Sequence, residues 1–188
     1  MDHYLDLRLL ADAETAPSVL MNALFGRLHG VLAAHAGGAD AGIGVSFPRV
    51  DGRRLGDVLR LHGPQPALAP FHAGAWLVAL RDHVAVEAVR PVPSDARHRV
   101  VRRVQAKSGA ARLRRRLMRR HGIDEAEALQ RIPDSVEQRL DLPYLQLRSA
   151  STGQHFRLFV EHGAIGTVPR AGTFNAYGLS DHATVPWF

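Results

Sequence analysis

The chain contains no cysteine and a single lysine, Lys107. Without cysteine there is no disulfide framework and no thiolate metal site, and nothing in the composition asks for an oxidising compartment. No charge-free apolar stretch approaches the length of a bilayer span, and Asp2 and Asp6 interrupt the first apolar residues. The expectation is a cytoplasmic protein, neither exported nor membrane-spanning. The eleven histidines show no HxH or HxxxH pairing and no helical carboxylate–histidine cluster, so no metal site and no cofactor are expected. There is no GxSxG elbow, which makes a serine hydrolase a poor reading. Nor is there an internal repeat or a low-complexity tract.

What is present begins with size: 188 residues at 46% hydrophobic content suffice for one sizeable core or two small ones. The net charge of +6 conceals an uneven distribution. Residues 97 to 120 hold Arg97, Arg99, Arg102, Arg103, Lys107, Arg112, Arg114, Arg115, Arg116, Arg119 and Arg120 with no Asp or Glu, and the rest of the chain is net acidic. One concentrated cationic segment on an otherwise slightly acidic protein marks a polyanion-binding element, with nucleic acid as the expected partner. The near absence of lysine suits planar, bidentate recognition of phosphate and guanine edges, but the abundance of alanine points equally to GC-rich coding and leaves that signal little weight.

Hydrophobic periodicity gives the framework. Leu5, Leu7 and Leu9 alternate with polar neighbours as in a half-buried strand, and Leu20, Met21, Leu24, Phe25, Leu28, Val31 and Leu32 form one stripe of a helix over 16–34. Short strands at 43–47 and 55–62, a broken helical stretch over 66–81 and a strand around 84–88 complete a β-α-β-β-α-β order. That order predicts an α+β protein with a ferredoxin-like domain over 1–94. A smaller α/β domain over 95–188 follows, with a basic strand at 99–105, an arginine-rich helix over 109–121, and strands near 144–148 and 156–161.

Ser108 is placed to cap the arginine-rich helix and Gly122 to end it. At 100° per residue Arg112, Arg115, Arg116, Arg119 and Arg120 fall within roughly 140° of arc, beside Leu113 and Leu117 as anchors. A solvated surface helix usually mixes both signs of charge, and this one has no acid. In the preceding strand Arg103 and Gln105, two residues apart, share a face. Arg can read guanine and Gln adenine, although an exposed strand face explains the spacing as well. His29 lies just beyond Phe25 at the edge of the apolar stripe, where an imidazole is neither fully buried nor freely solvated. By position alone ordinary packing explains it. The segment from Leu147 to Phe156 gathers Ser149, Ser151, Thr152, Gly153, His155 and Phe156 at a strand-to-strand turn, where hydroxyls could grip ribose or phosphate or simply serve the turn.

Taken together, MDHYLDLRL, ALFGRLH ending at His29, RVQAKS followed by LRRRLMRRH, LRSASTGQHFRLF, and the terminal YGLS and VPWF resemble the type I-F CRISPR repeat-processing endoribonucleases, a branch of the repeat-associated mysterious protein superfamily. The resemblance spans nearly the whole chain. It implies that His29 is the general base removing a proton from a ribose 2′-hydroxyl, giving a 2′,3′-cyclic phosphate and a 5′-hydroxyl without a metal. It gives Ser149 the ribose, Tyr177 the orientation of the histidine, and Ser151 and Thr152 the neighbouring backbone. Arg103 and Gln105 would read a guanine and an adenine near the stem base, Arg116, Arg119 and Arg120 would follow the hairpin groove, and Phe156 would stack under the terminal base pair. The implied partners are the CRISPR repeat hairpin and the other subunits of the type I-F surveillance complex. A rival reading keeps the RNA contacts with a silent site; a third, a basic DNA-binding or ribosomal protein, leaves YGLS, VPWF and the placement of His29 unexplained.

Overall fold

The computed structural model describes residues 1–36, 42–105, 109–133, 140–149 and 153–188. In chain order the elements are β1 (His3–Leu9), α1 (Pro17–Ala36), β2 (Gly44–Ser46), β3 (Val58–Gly63), α2 (Gln65–His72), a 3-10 turn (Ala75–Leu80), β4 (Val84–Val86) and β5 (Arg90–Pro91). They continue with β6 (Arg97–Val104), α3 (Ala110–His121), α4 (Glu125–Arg131), β7 (Tyr144–Arg148), β8 (His155–His162) and β9 (Thr184–Trp187). The architecture is α+β.

The first compact unit comprises Met1–Arg103 and Leu142–Phe188. One sheet has the order β2-β3-β1-β4, with β5 also paired to β1; the other has the order β7-β8-β6-β9. The pairs β1–β3, β1–β4, β2–β3, β6–β9 and β7–β8 run antiparallel. As the period-two pattern requires, Leu5, Leu7 and Leu9 are buried, and the α1 stripe of Leu20, Met21, Leu24, Phe25, Leu28 and Leu32 is buried with them. The other face of β1 departs from the simple pattern. Asp6 lies directly across from Arg60 in the register and is 5% exposed, its two carboxylate oxygens accepting from Arg60 Nε at 2.6 Å and Nη2 at 2.8 Å. The guanidinium also lies over the rings of Tyr4 at 4.5 Å and Phe188 at 4.0 Å, which meet edge to face. Removing either partner of a pair so buried would leave an uncompensated charge.

Leu145, Leu147, Leu158, Val160, Phe174, Leu179 and Val185 share one continuous core with the residues of β1 and α1. A Cβ on Gly44 of β2 would meet Val185 Cγ1 of β9 at 2.6 Å, so β9 packs directly against β2.

The second unit is Val104–Asp141. Within it α3 ends at Gly122, whose φ of 66° and N–H to Met118 carbonyl bond make a left-handed cap. The residue at its N-cap is Gly109, with no side-chain cap; Ser108 lies outside the described residues. Asp124 caps α4 by accepting from the Glu127 N–H at 2.8 Å. The Arg114 Nε donates to the Ile132 carbonyl at 2.7 Å and ties the two helices together.

Candidate active site and nucleic-acid interface

His29 lies two turns before the end of α1 and is half-buried. Its Nδ1 is 2.8 Å from the carbonyl oxygen of Ala176. A carbonyl only accepts, so Nδ1 carries the proton and Nε2 keeps its lone pair; the neutral imidazole is thereby set in the tautomer of a proton acceptor. The carbonyl is presented by a tight turn. Asn175 Oδ1 accepts from the N–H groups of Tyr177 at 2.9 Å and Leu179 at 3.2 Å, and Gly178 N–H donates to the Asn175 carbonyl at 2.8 Å. Gly178 has φ 70°, and a Cβ there would lie 2.3 Å from Val45 Cγ2, while its carbonyl accepts from the Val45 N–H at 2.8 Å. Only glycine allows this turn to dock on β2.

The same turn lays Tyr177 against His29, ring centroids 4.1 Å apart and planes within 12°. Phe25, one helical turn earlier, stacks on Tyr177 at 6.4 Å. The Arg103 guanidinium from β6 lies over Tyr177 at 5.2 Å and over Phe156 of β8 at 5.8 Å. Arg103 Nε is buried and has no hydrogen-bond partner among the described residues. Four residues from distant stretches of sequence thus meet in one aromatic and cationic cluster: His29, Tyr177, Arg103 and Phe156.

Ser149 closes β7. Its N–H donates to the Gln154 carbonyl at 2.9 Å, and its carbonyl accepts from Gly153 N–H at 2.8 Å, with Gly153 at φ 68°. Pro17, Ser18 and Met21 of α1 line a groove together with Tyr144 and Leu145, and the Gln146 N–H donates to Asn22 Oδ1 at 2.9 Å. That hydrogen bond ties β7 to α1. Ser151 and Thr152 lie outside the described residues. Gln105 is exposed one residue past β6.

On α3 the side chains of Arg112, Arg115, Arg116, Arg119 and Arg120 are all exposed, while Leu113 and Leu117 are half-buried. None of these five arginines makes a hydrogen bond or ion pair among the described residues. Two neighbours in sequence behave differently: Arg102 is held by Glu161 at 2.8 Å, and Arg114 by the Ile132 carbonyl.

Other histidines serve the fold. His62 is fully buried, with Nε2 2.8 Å from Ser46 Oγ, and burial pushes its pKa well below the usual value. Burial, aided by the nearby Arg99 charge, lowers His162 to about 4. Arg99 is itself fixed by the carbonyls of His162 and Gly163. Among the described residues no three His, Asp or Glu side chains converge as a ligand set.

Residues 4–188 match the model of a family described as CRISPR-associated protein (Cas_Csy4). The chain belongs to this family. A CRISPR-associated endonuclease Cas6/Csy4 of Pseudomonas aeruginosa (strain UCBPP-PA14) is 52% identical over the full length of both chains. Another protein of that name, from Escherichia coli (strain UTI89 / UPEC), is 45% identical, again over all of both chains. The chain is a CRISPR-associated endonuclease of the Cas_Csy4 family.

In this Cas_Csy4 chain the candidate side chains His29 and Tyr177 rest on supports that the sequence does not mark as functional. Asn175 and Gly178 build the turn, and the Ala176 carbonyl sets the tautomer of His29. The Asn and Gly of NAYGLS are turn formers and are the signal of this support.

Proposed function

We propose that this endonuclease binds the hairpin of a CRISPR repeat transcript and cuts it at the 3′ base of the stem without a metal, then stays on the product as a subunit of a type I-F surveillance complex. The observation that carries the proposal is the Nδ1–Ala176 carbonyl bond of His29, which leaves Nε2 as the base. His29 Nε2 takes the proton of the 2′-hydroxyl, the 2′-oxygen attacks the adjacent phosphorus, and the bond to the 5′-oxygen breaks, that oxygen taking a proton from water while the imidazolium returns its proton to solvent. The products are a 2′,3′-cyclic phosphate and a 5′-hydroxyl. Proton transfer of this kind contributes about 10²–10⁴ in rate, and in-line alignment supplies much of the remainder. Ser149 holds the ribose in that alignment, and Tyr177 orients the imidazole by stacking on it.

Arg103 and Gln105 read a guanine and an adenine at the stem base, and Phe156 stacks under the terminal pair, marking where the duplex ends. Arg112, Arg115, Arg116, Arg119 and Arg120 follow the hairpin backbone, Ser151 and Thr152 touch the strand next to the cut, and each phosphate contact releases counterions. We read the sheet β2-β3-β1-β4 with α1 and α2 as a ferredoxin-like scaffold within residues 1–94, residues 95–188 as the RNA-binding part, and the cytoplasm as the site of action.

The test incubates the protein in EDTA with end-labelled repeat RNA of its own host, and with the same RNA carrying a 2′-deoxy residue before the cut. Cleavage of the first alone is expected. Cleavage of both RNAs, or of the first only when metal is supplied, would overturn the mechanism.

A further inference from the structure

Arg103 stands in two places at once. Its guanidinium covers Phe156, the ring given to the end of the stem, and Tyr177, the ring that holds His29. Tyr177 carries His29 stacked at 4.1 Å and Phe25 at 6.4 Å, and the guanidinium lies over the same ring at 5.2 Å. Tyr177 is thus the shared contact of the imidazole and the guanidinium.

We propose that Arg103 is a positioning residue for the catalytic histidine as well as a reader of sequence, so that capture of the correct base by Arg103 clamps Tyr177 onto His29 and sets the imidazole for proton transfer. This rests on the cleavage mechanism proposed above and deepens it: recognition and catalysis share one side chain.

Two observations support the coupling. The first is the shared contact through Tyr177, which joins the group that binds the base to the group that takes the proton. The second is Arg103 Nε, a buried donor without a partner among the described residues. A buried N–H left unsatisfied is costly and is relieved by an acceptor. A guanine edge offers two acceptors, O6 and N7, to the arginine fork. Docking of that base, with the guanidinium turned to meet it, therefore gives the arginine fork its acceptors and stiffens a side chain that lies over two rings. An arginine fixed at its base-binding end restricts the ring beneath it. An RNA with another base at that position leaves Nε unsatisfied and Tyr177 less constrained, so a wrong hairpin is cut slowly even when it is bound.

The step affected is the cleavage rate constant at saturating protein, not affinity alone. A cation–π contact of this kind is worth a few-fold to roughly tenfold in an equilibrium. Replacing Arg103 by Ala should therefore lower the single-turnover rate constant, measured with all RNA bound, by about fivefold to tenfold beyond its effect on binding. Arg103→Lys, which keeps the charge but not the planar fork, should recover part of the rate.

The decisive arm combines Arg103→Ala with Tyr177→Leu, and repeats each protein with RNA carrying 7-deazaguanine, which lacks N7. In the wild type the analogue should slow the bound-state cleavage; in Tyr177→Leu and in Arg103→Ala it should not slow it further. A readout free of RNA accompanies these. The His29 and Tyr177 ring resonances of the unliganded protein should move in Arg103→Ala, with the His29 ring signals shifted by loss of the stacked guanidinium from its neighbour. Thermal unfolding of each variant separates a local change from a failure to fold, and Arg103→Lys serves if Arg103→Ala does not fold. If Arg103→Ala and the analogue change affinity only, with the saturated cleavage rate constant and the ring resonances those of the wild type, the coupling is wrong and the proposed mechanism stands. If the wild type does not cut the hairpin in EDTA, the mechanism itself fails, which is a distinguishable outcome.

Discussion

The arginines of β6 and of the first unit contrast with those of α3. Arg8, Arg49, Arg60, Arg99 and Arg102 are each committed to a carboxylate or a carbonyl within the fold. On α3, Arg112, Arg115, Arg116, Arg119 and Arg120 are exposed and bind nothing among the described residues. Both sets contribute equally to the net charge, yet only the second is free to neutralise a polyanion. A charge count therefore measures potential, and partner geometry decides which charges are spent on stability. Arg103 belongs to neither class, since it packs on two rings while its Nε has no partner among the described residues.

The largest effect expected separates chemistry from binding. His29→Ala should lower cleavage by about 10²–10⁴ while hairpin affinity, measured by filter binding, stays near that of the wild type. Loss of affinity in parallel would place His29 among the binding groups. Next comes the free arginine face. Replacing Arg115, Arg116, Arg119 and Arg120 together by Ala should flatten the dependence of log affinity on log salt by about 3, at roughly 0.7–0.9 per phosphate contact. Arg102→Ala and Arg114→Ala should leave that slope unchanged, and a slope that moved equally in both sets would erase the comparison.

The committed arginines are tested through stability. Asp6→Ala strands the Arg60 charge beside Tyr4 and Phe188 and should destabilise the protein by about 3–5 kcal/mol in denaturant unfolding. Arg116→Ala should stay within about 0.5 kcal/mol of the wild type. A smaller effect comes from acid. His162, lowered to about 4 by burial and the Arg99 charge, is neutral in the fold and protonates in the unfolded chain below its ordinary value near 6.5. The unfolded state then binds more protons, so stability is complete above about 6.5 and is lost as pH falls toward about 4. His62 acts in the same direction. His162→Phe should remove part of this loss, of order 2–3 kcal/mol by pH 4, in unfolding curves recorded between these limits. An identical acid dependence in the variant would mean that His162 is protonated in the fold.

Much of this molecule is legible in its residues. The α1 stripe reads out because Leu20, Leu24 and Leu28 recur at helical spacing, and the exposed α3 face because no acid interrupts it. Less legible were the short elements. β5, β9 and α4 lack enough residues for a period to stand out, and β9 is recognised only by what it closes over. The buried pair of Asp6 and Arg60 was hidden because a period-two reading assigns alternate positions of β1 to solvent, and the covering rings of Tyr4 and Phe188 come from opposite ends of the chain. The support of His29 was hidden for a related reason: its partner is a backbone carbonyl 147 residues away, and a carbonyl has no residue type to recognise.

The most direct measurement of the central claim is the mass of the two fragments released from repeat RNA in EDTA. Attack by the 2′-oxygen predicts an upstream fragment ending in a 2′,3′-cyclic phosphate and a downstream fragment beginning with a 5′-hydroxyl. A 3′-hydroxyl on the upstream fragment with a 5′-phosphate on the downstream one would show attack by water instead, and would contradict the role assigned to His29.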